Sequence, residues 1–131
     1  MEIMNPELRY RKLWLSIGYL LIVVVVFLSL TSNPVHVDTN LPYQDKLFHA
    51  LAYFSLTFWF MQIYHIRHHV FQWAIFFLCL GLLLEFFQGF DSKRYSEVGD
   101  MVANTLGVAA ALVLSRTRVR FMLVRFERYI T

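Results

Sequence analysis

The sequence predicts an all-α polytopic membrane protein: a bundle of four transmembrane helices with both termini in the cytoplasm and a short amphipathic C-terminal helix. Composition is the first observation behind this prediction. Of the 131 residues, 58% are hydrophobic and 18% are aromatic, and the mean hydropathy is +0.51. Soluble domains of this length are far less apolar, so the composition excludes the common soluble enzyme classes.

The length of the apolar segments is the second observation. A helix needs about 20 predominantly apolar residues to cross the hydrocarbon core of a bilayer. Four segments approach that length, at residues 13–30, 47–64, 70–88 and 98–115. Because backbone groups in lipid must be bonded within their own structure, and the connections are too irregular for a barrel, each segment is expected to be an α-helix.

The ends of the segments support these assignments. Basic residues precede the first segment, as in a signal peptide, but the apolar run exceeds the usual core of about 7 to 15 residues and lacks a clear cleavage site. We therefore expect it to be a retained span. Gly89 is suited to cap the third helix and Ser96 to begin the fourth.

Basic residues predict the orientation of the four spans. Three of the twelve fall in the segments that would face outward: Lys46, Lys93 and Arg94. The other nine fall on the opposite side: Arg9, Arg11, Lys12, Arg67, Arg116, Arg118, Arg120, Arg125 and Arg128. Because positive loops remain in the cytoplasm, both termini are expected there.

The chain divides into a transmembrane domain at residues 10–115 and a basic tail at residues 116–131. In the tail, apolar residues recur at spacings of three and four, opposite an arc of arginines: Val119, Met122, Leu123, Phe126 and Ile130. This pattern is typical of a helix that lies on the anionic cytoplasmic leaflet. Phe121 and Val124 blur the polar face, so a frayed tail is the alternative.

Other site classes find little support. The net charge of +3 has a better explanation in topology than in nucleic-acid binding, because no basic patch lies in a foldable soluble domain. Cys79 is the single cysteine, so neither a disulfide framework nor a cysteine metal site is available. His65, His68 and His69 fall in a cytoplasmic turn, where solvated interfacial residues are expected. No cofactor is expected.

Seven polar residues flank or enter the apolar segments at their predicted outer ends. They are Asp45, Lys46, His49, Glu85, Gln88, Asp100 and Asn104. Such residues are costly in lipid and mark functional sites. Helical spacing puts neighbours from each group on one face, so we expect a shared polar pocket with Arg94 of the outer loop at its rim.

Three interpretations of this pocket remain open. It could bind an amphipathic molecule, or form a buried polar network that sets helix register. A metal site using His49 with Asp45, Glu85 or Asp100 is the least favoured, because no paired-histidine spacing supports it, and no metal is expected.

Catalysis is permitted by the residue types without being required. His49 and Glu85 are the candidate acid and base, with Lys46 and Arg94 holding a lipid phosphate or pyrophosphate. A further alternative is a structural accessory subunit. Ala103, Gly107 and Ala111 repeat small residues every four positions, which would let a membrane partner approach closely.

The order and spacing of these polar residues resemble those of the VanZ-like family of small bacterial membrane proteins. The resemblance covers roughly residues 10–115. It is carried by Asp-Lys-x-x-His, Glu-x-x-Gln, a basic loop residue and Asp-x-x-x-Asn-x-x-Gly, at Asp45, Lys46, His49, Glu85, Gln88, Arg94, Asp100, Asn104 and Gly107.

This resemblance implies an inner-membrane location and a role in the cell envelope. The namesake of the family is associated with low-level resistance to the lipoglycopeptide teicoplanin. The expected ligand is a membrane lipid or a lipid-linked envelope intermediate, held by the polar residues just named.

Overall fold

The computed structural model of the chain describes residues 8–30, 44–90 and 98–131, and this part is all-helical. The helices are α1 (Arg11–Leu30), α2 (Gln44–Ile63), α3 (Arg67–Gln88), α4 (Val98–Leu114), a 3-10 turn (Arg118–Phe121) and α5 (Met122–Ile130). The all-α prediction is confirmed, and each of the first four helices coincides with one predicted apolar segment. Gly89 follows α3 and donates its N–H to the carbonyl oxygen of Glu85, as expected of a cap.

Two helices, α1 and α3, are long and apolar enough to cross a membrane. A third candidate is the pair formed by α4 and the segment Arg118–Ile130, which bends by 81° between them. Although α2 has 20 residues, it begins with a glutamine, an aspartate and a lysine, and these polar residues lower its hydropathy. By length and composition, the described residues therefore contain two or three candidate spans.

The centre of the bundle is aromatic and is built around α2. Phe60 of α2 and Phe77 of α3 are fully buried, and the Phe60 ring stacks on Trp73 with 4.1 Å between centroids. Gly18 of α1 faces Phe60, and a Cβ atom there would come within 2.8 Å of its ring. Large apolar side chains on the outer surfaces of the helices remain exposed, as a protein surrounded by lipid requires.

α2 and α4 form the most extensive helix pair. At Gly107 the two backbones touch, since a Cβ atom there would overlap the carbonyl oxygen of Ala50 and come within 2.9 Å of the Phe54 nitrogen. Ala103 and Ala111 are buried on the same stripe. The close approach expected of these small residues is thus made by α2 of the same chain. A membrane partner would have to bind elsewhere.

The residues that precede α1 meet α5 at one end of the bundle. The Glu127 carboxylate of α5 accepts hydrogen bonds from the backbone N–H groups of Arg9 (2.6 Å) and Tyr10 (2.8 Å), at the start of α1. Burial alone would raise the pKa of Glu127, but these bonds, a bond from the Trp14 indole and the charge of Arg9 lower it. An ionised carboxylate therefore caps α1 from across the molecule.

α5 packs through a face different from the predicted one. Leu123 and Val124 are buried, whereas Met122, Phe126 and Ile130 are exposed. The prediction that Val124 blurs a polar face was wrong, because Val124 lies with Leu123 in a small core beside Ile63 and Leu8. The exposed apolar residues form a second surface, beside Arg125 and Arg128.

At the turn between α2 and α3, one of the three histidines is buried instead of exposed as expected. His68 is exposed, but His65 is buried, and its Nε2 lies 3.0 Å from the carbonyl oxygen of Arg120. Burial is the main cause that lowers the pKa of His65, and the charges of Arg120 and Arg11 add to it. The 3-10 turn packs against His65 and shields it from solvent. The local sequence does not indicate this contact.

Candidate functional site

Polar side chains converge at the end of the bundle opposite the contact between α5 and the start of α1. His49 lies in the second turn of α2, Glu85 in the last turn of α3 and Asp100 in the first turn of α4. One ring nitrogen of His49 and one carboxylate oxygen from each acid all lie within 4.8 Å of one another. With Lys46 and Asn104 they form what we call the polar cluster: Lys46, His49, Glu85, Asp100 and Asn104.

Asn104 orients the imidazole of His49. The distance between His49 Nδ1 and Asn104 Oδ1 is 3.1 Å. Because an amide oxygen accepts, Nδ1 carries the hydrogen, and in the neutral ring Nε2 presents a lone pair. That nitrogen lies 3.8 Å from Asp100 Oδ2, which is too long for a hydrogen bond. The reactive edge of the imidazole thus faces a carboxylate without being bonded to it.

Asp100 is one of the two buried acids of the polar cluster. The residue is 8% exposed, and its Oδ1 is buried without a hydrogen-bond partner among the described residues. The Lys46 Nζ lies 3.7 Å from Oδ1 and is the nearest positive charge that the geometry identifies. Asp100 stands in the first turn of α4.

Two glycines shape the cluster, and sequence reasoning did not identify them. A Cβ atom at Gly81 of α3 would come within 2.9 Å of the Asn104 Nδ2 and 3.3 Å of the Tyr53 ring. A Cβ atom at Gly99 would overlap the aliphatic stem of Lys46. Their positions in the sequence could have identified them. Gly81 lies four residues before Glu85 on the same helical face, and Gly99 directly precedes Asp100.

Gln88 has a different partner from the rest of the predicted pocket. Its buried side chain donates from Nε2 to the carbonyl oxygen of Ser29, at 2.8 Å. This bond ties the end of α3 to the last turn of α1. Of the other predicted residues, Asp45 lies in the first turn of α2, but its side chain and the whole of Arg94 fall outside the described residues.

The polar cluster has three chemical capabilities. It contains two buried or nearly buried carboxylates, an oriented imidazole and a partly exposed ammonium group, which belongs to Lys46. Such a set can hold a cation between the carboxylates, accept hydrogen bonds from hydroxyl or amide groups, or transfer a proton between His49 and an acid.

No protein-family model matches the chain, and no curated protein or solved structure is significantly similar to it. Any assignment of function therefore depends on the residues themselves. The polar cluster is the strongest basis for one, because buried ionisable groups between apolar helices are costly to maintain without a role.

Proposed function

We propose that this chain is a four-span, VanZ-like protein of the bacterial inner membrane, with both termini in the cytoplasm. Its polar cluster opens to the extracytoplasmic side and binds the polar head group of a lipid-linked or lipid-like molecule of the cell envelope. The observation that carries the proposal is the convergence of His49, Glu85 and Asp100 within 4.8 Å at one end of an otherwise apolar bundle.

The distribution of charge supports the proposed sidedness. Arg11 and Arg67 lie at the end of the bundle where Glu127 caps α1, together with the arginines of the 3-10 turn and α5. The polar cluster lies at the opposite end. Because basic residues are retained in the cytoplasm, the cluster would face outward.

The position of Lys46 supports the proposal that the head group is anionic. Its ammonium is partly exposed at the rim, and its stem is guided by Gly99 toward Asp100. An ammonium in this position can form a charge-assisted hydrogen bond with a phosphate or carboxylate of the ligand. The buried carboxylates and His49 would receive neutral polar groups of the same molecule.

The topology can be tested by thiol labelling in intact cells. The native Cys79 is exposed and would first be replaced by alanine. Single cysteines would then be introduced at Val98, which is 82% exposed at the start of α4, and at Tyr129, which is 89% exposed in α5. We expect a membrane-impermeant reagent to label the first and not the second. Labelling at Tyr129 would contradict the four-span topology.

The binding role can be tested through susceptibility to teicoplanin in a host that expresses the protein. We expect the parent to alter susceptibility and the His49→Ala and Glu85→Ala variants to lose this effect while accumulating normally. Thr105→Ala changes an exposed residue of α4 and is the matched control. Full activity of both cluster variants at normal abundance would exclude a binding role for these side chains.

An enzyme acting on a lipid phosphate or pyrophosphate is the second candidate. The observation in its favour is that a His49 ring nitrogen and a Glu85 oxygen lie within 4.8 Å, so that both could contact one bound group. Release of inorganic phosphate from a lipid pyrophosphate by the purified protein would test it. Catalysis predicts that Glu85→Gln stops release while the lipid still binds, whereas a binding protein releases no phosphate.

A further inference from the structure

We propose that the polar cluster is a metal site that takes one divalent ion of the Zn²⁺ or Mn²⁺ type. The ligands are Nε2 of His49 and one carboxylate oxygen each from Glu85 and Asp100. With an ion bound, the proposed head group would contact the open coordination position of the ion instead of bonding directly to these three side chains, and the ion has a test of its own.

The spacing of the three ligand atoms suits a single ion. One ring nitrogen of His49 and one oxygen of each acid lie within 4.8 Å of one another, and His49 Nε2 is 3.8 Å from Asp100 Oδ2. Two ligands at about 2.1 Å from a tetrahedral ion are separated by roughly 3.4 Å. The separation of His49 Nε2 and Asp100 Oδ2 is within about half an ångström of that value.

The orientation of His49 is that of a metal ligand. Ligand histidines donate the hydrogen on their other ring nitrogen to an oxygen acceptor, which selects the tautomer and aims the lone pair. Asn104 Oδ1 is that acceptor for His49 Nδ1, at 3.1 Å. Nε2, which then carries the lone pair, lies 3.8 Å from Asp100 Oδ2.

Asp100 supplies an independent indication. A buried oxygen without a hydrogen-bond partner is costly, and Asp100 Oδ1 has none among the described residues although the residue is only 8% exposed. Lys46 Nζ lies 3.7 Å from the same oxygen, beyond hydrogen-bond distance, and a divalent ion would give the carboxylate a direct ligand contact.

The donor set indicates the type of ion. Mg²⁺ and Ca²⁺ prefer oxygen ligands throughout, whereas an imidazole nitrogen beside two carboxylates suits Zn²⁺ or Mn²⁺. Three protein ligands leave at least one coordination position open. An oxyanion of a bound molecule can occupy that position.

The test is calorimetric titration of the detergent-solubilised protein with ZnCl₂ and MnCl₂. The protein must be purified without a polyhistidine tag. It must also carry His68→Gln and His69→Gln, because these two rings lie 5.8 Å apart at the other end of the bundle and could bind zinc by themselves. We expect one ion per chain in this background, and a loss of affinity of at least about tenfold in His49→Gln and in Glu85→Gln.

Substitutions of Asn104 test whether this residue orients the His49 ring for metal binding. Asn104→Leu should weaken binding by about 10- to 100-fold, and Asn104→Asp, which still accepts from His49 Nδ1, should restore it. Thr105→Ala is the control on the same helix. If a variant does not fold, the visible absorption of Co²⁺ bound to the unaltered cluster still reports nitrogen and oxygen coordination.

Two results would overturn the metal site. One is the absence of stoichiometric ion binding in the background protein. The other is unchanged affinity in a folded His49→Gln and Glu85→Gln double variant. Either result leaves the head-group proposal standing, since that is measured by antibiotic susceptibility.

Discussion

The indole Nε1–H of Trp14 donates a 2.5 Å hydrogen bond to the carboxylate of Glu127, joining α1 to α5 across 113 residues of sequence. The same carboxylate accepts from the backbone N–H groups of Arg9 and Tyr10. The first N–H groups of a helix have no partner within it, so Glu127 satisfies donors that would otherwise be lost at the start of α1. The C-terminal helix is thereby part of the bundle as well as a surface element.

Glu127→Ala should therefore destabilise the protein. It removes the acceptor of three hydrogen bonds in a buried position, and we expect a loss of about 1–3 kcal/mol in the free energy of unfolding. Thermal unfolding in detergent, followed by size-exclusion chromatography, measures the change. Arg128→Ala on the exposed face of α5 should change little. Equal melting temperatures for Glu127→Ala and the parent would contradict the capping role.

The burial of His65 predicts that the protein loses stability on mild acidification. Because its pKa is lowered in the fold from the ordinary 6.5, the unfolded chain binds a proton at a higher pH than the folded chain does. Stability should consequently fall as the pH drops below about 6.5. His65→Gln should reduce this dependence between pH 5 and 7, as measured by Tm, whereas exposed His68→Gln should not. A steeper dependence in His65→Gln would refute the assignment.

Gly107→Ala should separate α2 from α4. The added methyl group would overlap the carbonyl oxygen of Ala50, which is backbone and cannot rotate away. Overpacking of this kind costs typically about 1–3 kcal/mol. Unfolding in detergent should show the loss, and Ala110→Val on the exposed side of α4 serves as the control for added volume. Wild-type stability in Gly107→Ala would show that the helices are farther apart.

Gly81→Ala should disturb the polar cluster more than the fold. Its methyl group would press on the Asn104 amide, which is the group that holds His49 Nδ1. We expect zinc affinity to fall several-fold, with a smaller effect on Tm than Gly107→Ala produces. Leu82→Ala, on the exposed surface of α3, is the neighbouring control. Unaltered zinc affinity in a folded Gly81→Ala protein would argue against the role assigned to Asn104.

Some features of the polar cluster could be predicted from the sequence. Glu85 ends one apolar segment and Asp100 begins the next, so their presence at the same end of a helical bundle follows from chain connectivity alone. The spacing of Asp100 and Asn104 also assigns both to one face of α4. Their contact with His49 could not be predicted, because helical periodicity does not determine which faces of two helices meet.

Other features escaped prediction because they depend on distant contacts. Gln88 was grouped with the pocket, but its amide reaches the carbonyl oxygen of Ser29 on α1. Glu127 lies close to Arg125 and Arg128 in the sequence, as exposed acids often do, yet it is buried. Its burial depends on the free N–H groups at the start of α1, which lie more than 100 residues away in the chain.

The sequence by itself determined that the chain forms apolar helices, the bounds of those helices to within about three residues, and which helix ends carry Glu85 and Asp100. These properties are local, since they depend on composition and on the period of one helix. The tertiary structure decided the rest. Backbone contact at Gly107 brings α2 against α4, which sets His49 beside Asn104 and Asp100. Side-chain packing between helices, summed over many weak contacts, selects that arrangement, and no single segment contains the information for it.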